Sequence, residues 1–158
     1  SDAIAASFAK RAYPGGLTYA GHPLACAAAV ACIGIYREES LIERARALGD
    51  TIIGPALREM QSRHPSIGDV RGLGAFWAIE LVRDRDTREA LVPFNASGDA
   101  NAPMMQFAAE CKRLGAWPLV MGNRLHVVPP LNIEEGTLRE GLAIVDEALA
   151  VADRFTAA

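Results

Sequence analysis

The chain has 158 residues, 51% of them hydrophobic and 22% charged, with a formal net charge of -3, which is material for one core-forming domain. Its basic residues are scattered rather than gathered into a run or stripe, which argues against nucleic acid as the main partner and leaves anionic small molecules open. No segment is long and apolar enough to cross a bilayer, so the expectation is a cytoplasmic protein with no membrane partner, its three cysteines (Cys26, Cys32 and Cys111) reduced and in the core.

The first informative stretch is "GGLTYAGHPLACAAA", from Gly15 to Ala29. Gly15, Gly16 and Gly21 put Thr18 on a tight loop just ahead of a helix. A hydroxyl and free backbone N–H groups at such a place suit an oxyanion such as phosphate. The residues alone favour the simpler reading, in which Thr18 caps or bridges a turn and the glycines only make room. From Pro23 to Tyr36 the residues are apolar almost all round, which predicts a helix buried on several sides.

Leu41, Ala45, Leu48, Ile52, Ala56 and Met60 recur at spacings of three and four and predict a helix from Leu41 to about Arg63, kinked at Pro55. His64-Pro65 ends it. "IGDVRGLGAFWAIELV" then reads as a strand pair or one bent strand. Residues 83–101 are charged and then loop-like, with Pro93, Asn95, Ser97, Gly98 and Asp99 close together, and form the expected mobile segment.

A helix from Ala102 to about Leu114 carries Pro103 in its first turn and Met104, Phe107, Ala108, Cys111 and Leu114 on one face. "AWPLV" and "RLHVV" are two short strands around the hairpin chemistry of Met121-Gly122-Asn123. Asn132 and Glu135 resemble a capping box in front of a last helix with the stripe Leu138, Leu142, Val145, Leu149 and Ala152. This order predicts an α+β fold, a small antiparallel sheet with helices on one face, preceded by a long buried helix.

"GLTYAGHPLACAAAVA", "IGDVRGLGAFWAIELV" and "NRLHVVPPLNI" before a final amphipathic helix together resemble the C-terminal part of class III aminotransferases, pyridoxal 5'-phosphate enzymes of fold type I. The resemblance runs from about Tyr13 to the end. It implies that residues 1–40 are a cofactor-phosphate loop and interdomain helix, and that residues 41–158 are the C-terminal small domain. It also implies a homodimer in which Thr18, with Gly16 and Tyr19, reaches the cofactor phosphate of the other subunit. The large cofactor domain of the same enzyme, an amino donor and a 2-oxo acid are the other implied partners.

The family's Schiff-base lysine stands in a sequence context that this chain does not contain. Lys10, in "SFAKRAYPGG", and Lys112, on the expected third helix, read as solvated surface residues. The resemblance therefore implies a segment of a transaminase that is inactive alone. The alternative is a non-catalytic binding or assembly module that keeps the small-domain fold. A third possibility, a small enzyme with chemistry of its own, has no nucleophile at recognisable spacing from His22, His64 or His126.

For substrate binding the chain departs from its relatives. Ornithine- and 4-aminobutyrate-type enzymes place a carboxylate-binding arginine four residues before the second proline of Pro129-Pro130, and here that position is His126. The mobile arginine of some ω-transaminases falls on Leu119. Arg124, two residues before His126, shares its strand face and could hold a carboxylate or sulfonate bidentately with help from His126; a surface ion pair beside a core histidine is the other possibility. Arg71 reads as structural, bonding carbonyls of neighbouring turns, while Glu80 and Trp77 either line a site or pack the sheet. The motifs as a whole resemble most the branch acting on taurine or related ω-amino acids with 2-oxoglutarate.

Overall fold

The stripe that begins at Leu41 folds as one helical rod with a wider turn in its middle. In the computed structural model, which describes every residue except Lys10, Pro14 and Ala158, the chain divides into two units, Ser1–Glu39 and Ser40–Ala158. The first contains α1 (Asp2–Phe8), a turn and α2 (Pro23–Glu38). The second contains α3 (Leu41–Leu48), a π-helical turn (Gly49–Ile53), α4 (Gly54–Arg63), β1 (Ile67–Leu73), β2 (Phe76–Asp84) and β3 (Glu89–Ala90). After a short 3-10 turn (Gly98–Asn101) come α5 (Ala102–Leu114), β4 (Leu119–Met121), β5 (Arg124–Val127) and α6 (Glu135–Asp153).

The π-helical turn stands where a kink is expected at Pro55. Proline has no N–H to give the preceding turn, so the rod widens ahead of it and resumes as α4 with Pro55 in the first turn. Two glycines let this stretch press on the sheet. A Cβ on Gly49 would lie 2.1 Å from the Gly74 carbonyl oxygen, and one on Gly54 would lie 2.7 Å from Trp77 Cη2. Trp77 is 5% exposed and donates its indole N–H to the Gly74 carbonyl at 2.7 Å.

The five strands form an antiparallel sheet in the order β1-β2-β5-β4, with β3 paired to the end of β2. The hairpins turn at Gly74-Ala75 and Gly122-Asn123, where Gly74 and Gly122 have φ +56 and +57. Between Ile67 and Asp69 the pairing slips by one residue, so Ile67 opposes Leu81 while Asp69 opposes Glu80. That bulge carries Asp69 and Arg71 to the face opposite Ile67.

One face of the sheet is the core. Ile67, Trp77, Ile79, Leu81 and Leu125 pack with Ile53 and Leu57, with Met104 and Phe107 of α5, and with Leu138, Leu142 and Leu149 of α6. The α+β architecture with helices on one face is as expected, and the span of α5 matches to the residue. Cys111 is buried in this core, and burial pushes its thiol up to about 11.

Several expectations are corrected. The helix at Pro23 forms, but no residue of α2 is buried, because its own unit offers only α1 and a turn and an all-round apolar helix needs cover on every side. Cys26 and Cys32 on α2 are consequently exposed rather than in the core. Segment 83–101 contains β3 and anchors itself through Leu91 and Val92, 0% and 1% exposed. The N-cap of α6 is Glu134, with no side-chain capping bond, rather than Asn132. β4 begins at Leu119, not at Ala116.

The Gly49–Gly74 approach has a measurable consequence. In Gly49→Ala the added methyl meets backbone, not a flexible side chain, so α3 and the β1–β2 turn must part. The unfolding free energy in urea should fall by about 1–3 kcal/mol, as for other overpacked sites.

Candidate functional site

In the first unit, Gly16 at φ +153 and Gly21 at φ +75 bracket the turn that carries Thr18 and Tyr19. Ala20 N–H donates to the Leu17 carbonyl at 2.9 Å and His22 N–H to the Tyr19 carbonyl at 3.1 Å. Thr18 and Tyr19 are exposed at its tip, and the Tyr19 ring meets His22 edge-on at 6.0 Å. The N-cap of α2 is His22, with no side-chain capping bond, so Thr18 does not cap the helix. Among the described residues its hydroxyl makes no hydrogen bond within the protein. What the turn presents is an uncommitted hydroxyl beside the unsatisfied amides of a helix start, an arrangement that favours an anion.

In the second unit, the sheet face away from the core carries the polar candidates. The register puts Asp69, Glu80, Arg124 and Met121 in one row across the four strands. Arg71, Ala78, His126 and Leu119 form the next row, and Leu73 and Phe76 the row after. Period-two alternation thus brings Arg124 and His126 to one face, as their spacing predicts.

Arg71 is tied up. Its guanidinium reaches Glu80 at 2.7 Å and Asp69 at 2.5 Å, and these bonds, Glu80 first, raise it further above its already high ordinary value. It binds carboxylates, not the turn carbonyls expected of it. The contact was not legible in "DVRGLG" because it depends on the bulge that turns Asp69 to this face. Trp77 belongs to the core and lines nothing on the open side.

Arg124 differs from Arg71. It is exposed, and among the described residues it has no ion pair, since its cross-strand neighbour Glu80 is engaged by Arg71. Beside it, His126 Nδ1 is buried with no hydrogen-bond partner, and the ring lies 6.1 Å from that of Phe76. An orphaned buried nitrogen costs about 1–3 kcal/mol. Phe76, with Ile42, Ala45, Leu73 and Val128, also borders an apolar cavity of about 440 Å³. The open face therefore offers, among the described residues, an unpaired cation and a ring nitrogen in want of a partner, and an apolar recess lies between α3 and the β1–β2 turn.

Lys112 is not part of this constellation. Lys112 Nζ sits 4.0 Å over the Trp117 ring, a cation–π contact on the α5 side. Lys10 lies outside the described residues.

Comparison with known proteins identifies the pattern. Residues 2–149 match the family "Aminotransferase class-III". The chain is 41% identical over 142 residues, 87% of its own length and 31% of the relative's, to 5-aminovalerate aminotransferase DavT of Pseudomonas putida. Over 143 residues, 85% of this chain and 30% of the relative, it is 38% identical to 4-aminobutyrate aminotransferase GabT of Escherichia coli. A solved structure of taurine:2-oxoglutarate aminotransferase from Bifidobacterium kashiwanohense, in complex with PLP and glutamate, aligns with a TM-score of 0.84 at 30% identity, covering 98% of this chain and 34% of that one. The chain spans about a third of the length of these proteins. With a family match across nearly its whole length and the motifs in their order, this chain belongs to the class III aminotransferases.

Proposed function

We propose that this chain is the C-terminal segment of a cytoplasmic, homodimeric transaminase dependent on pyridoxal 5'-phosphate, which moves an amino group from an ω-amino acid or related amine to a 2-oxo acid. Residues 1–40 supply its cofactor-phosphate loop and interdomain helix, and residues 41–158 the small domain that joins the large cofactor domain of the same enzyme. The observation that carries this reading is the pairing, on one sheet face, of an arginine without a carboxylate and a buried histidine nitrogen without a partner.

Pyridoxal phosphate, when bound, supplies the electron sink for deprotonating the amine carbon. The residues present fit the phosphate end of that group. The uncommitted Thr18 hydroxyl, with backbone N–H groups around Gly16 and Tyr19, would hold the phosphate of the cofactor bound by the other subunit. On the open face Arg124 holds the acid end of the substrate through two N–H groups, and His126, on the same strand face, adds a hydrogen bond. The recess bordered by Phe76 and Leu73 takes the methylene stem and excludes water from it. The covalent lysine is assigned neither to Lys10 nor to Lys112, so the chain alone is inactive.

Three measurements test this reading. Arg124→Ala in a protein that joins this chain to its large domain should raise KM for the acidic substrate about 10- to 100-fold with little change in kcat, the loss of a charge-assisted pair. An unchanged KM overturns the role of Arg124. His126→Phe should raise the unfolding free energy of the chain by about 1 kcal/mol by deleting the orphaned polar atom, while also raising KM. Borohydride reduction of the chain with pyridoxal phosphate, followed by peptide mass mapping, should label neither Lys10 nor Lys112 specifically; stoichiometric labelling of Lys10 would place the covalent chemistry within this segment.

A further inference from the structure

Where α4 ends, His64 leaves the helix with φ -102 and ψ 113 and puts its ring between two carboxylates of α6. Nδ1 lies 2.7 Å from Asp153 Oδ2, and Nε2 lies 2.9 Å from Asp146 Oδ1. The ring is 12% exposed, the carboxylates 23% and 26%. A carboxylate oxygen only accepts, so both ring nitrogens must donate, and only the imidazolium has two N–H groups. In the neutral ring one nitrogen lone pair would face a carboxylate at hydrogen-bond distance.

The surrounding charges point the same way. Asp146 has a permanent cation, because both terminal nitrogens of Arg63 reach it at 3.0 Å. Asp153 receives the Ser66 N–H at 3.2 Å and the Ser66 hydroxyl at 2.6 Å, both neutral donors, so the positive group against it is His64. Glu59 on α4 faces Arg63 at 3.8 Å, and Arg85, from the segment after β2, spends its guanidinium on the backbone carbonyls of Gln61, His64 and Ile67. With His64 protonated, Arg63 and His64 balance Asp146 and Asp153. Without that proton the seam carries an uncompensated negative charge.

We propose that His64 is a protonation-dependent clamp. As the imidazolium it bridges Asp146 and Asp153 and holds the end of α4 and the start of β1 against α6; on losing its proton it gives up one of the two bridges and the seam loosens. Ser66, 0% exposed and bonded to the same Asp153, sets the first position of β1, the strand that carries Asp69 and Arg71 to the open face. The clamp is independent of what the open face binds. Its stabilisation is present while the imidazole is charged and is lost when the ring gives up its proton as pH rises.

The test compares urea unfolding of the full 158-residue chain at about pH 5.5 and about pH 8 with that of Asp146→Asn. The amide placed there donates to Nε2, so a neutral His64 becomes fully satisfied, donating Nδ1–H to Asp153. The folding equilibrium constant of the parent chain should fall on the order of tenfold more than that of Asp146→Asn over this window. Ring 15N shifts of His64 in the parent chain provide a second readout, with both nitrogens protonated at about pH 5.5. Equal pH dependence in the two proteins, or a neutral His64 ring at about pH 5.5, overturns the clamp. Should Asp146→Asn fail to fold, the same comparison is made with His64→Gln, whose amide carries no titratable proton; a pH dependence equal to that of the parent chain overturns the clamp.

Discussion

Side chains alternate along a strand, so burying Trp77, Ile79 and Leu81 of β2 beneath helices forces Phe76, Ala78 and Glu80 out on the other side. β2 pairs with β1 on one edge and with β5 and β3 on the other, and its alternation is therefore imposed on the whole sheet. Every polar candidate on the open face owes its position to this one-sided burial. Leu125, buried between Arg124 and His126, is the residue that turns both of them outward.

The magnitudes show why this face is available for function. Arg71 and Glu80 are 50% and 35% exposed at their side chains, and such a pair contributes no more than about 1 kcal/mol. Removing a side chain like Phe107 from the core costs about 3–5 kcal/mol. Stability thus resides in the helix-covered face, and the charges opposite can be committed to ligands at small cost to the fold. The bulge at Gly68 belongs to the same division of labour, since it leaves Ile67 in the core and turns Asp69 and Arg71 to the outside.

Long-range contacts hold the ends of these elements where local propensity does not. Arg44 of α3 donates to the carbonyls of Leu131 and Ile133 at 3.0 and 2.5 Å, fixing the segment that follows Pro129-Pro130 and leads into α6. Asn123 donates to the Leu81 carbonyl at 2.9 Å and ties the β4–β5 turn to β2. At the far end of the sheet, Arg85 and the His64 cluster join α4, β1, β2 and α6 in one network. The two units contribute different chemistry: a turn with an uncommitted hydroxyl in Ser1–Glu39, and a half-apolar, half-cationic sheet face in Ser40–Ala158.

Local chemistry by itself determined much of this protein. Apolar periodicity and Pro103 set the limits of α5, Gly122-Asn123 set a hairpin, and the spacing of Arg124 and His126 set their common face, because each depends only on neighbours in sequence. The family was legible too, in motifs whose order survives in the text of the chain. Only the tertiary structure decided that Arg71 is spent on Asp69 and Glu80 while Arg124 is unpaired among the described residues, that His64 lies between two carboxylates more than eighty residues away, and that Leu91 and Val92 anchor a segment of loop-like composition. Register slips and contacts between distant segments settle these, and neither leaves a periodic trace in the sequence.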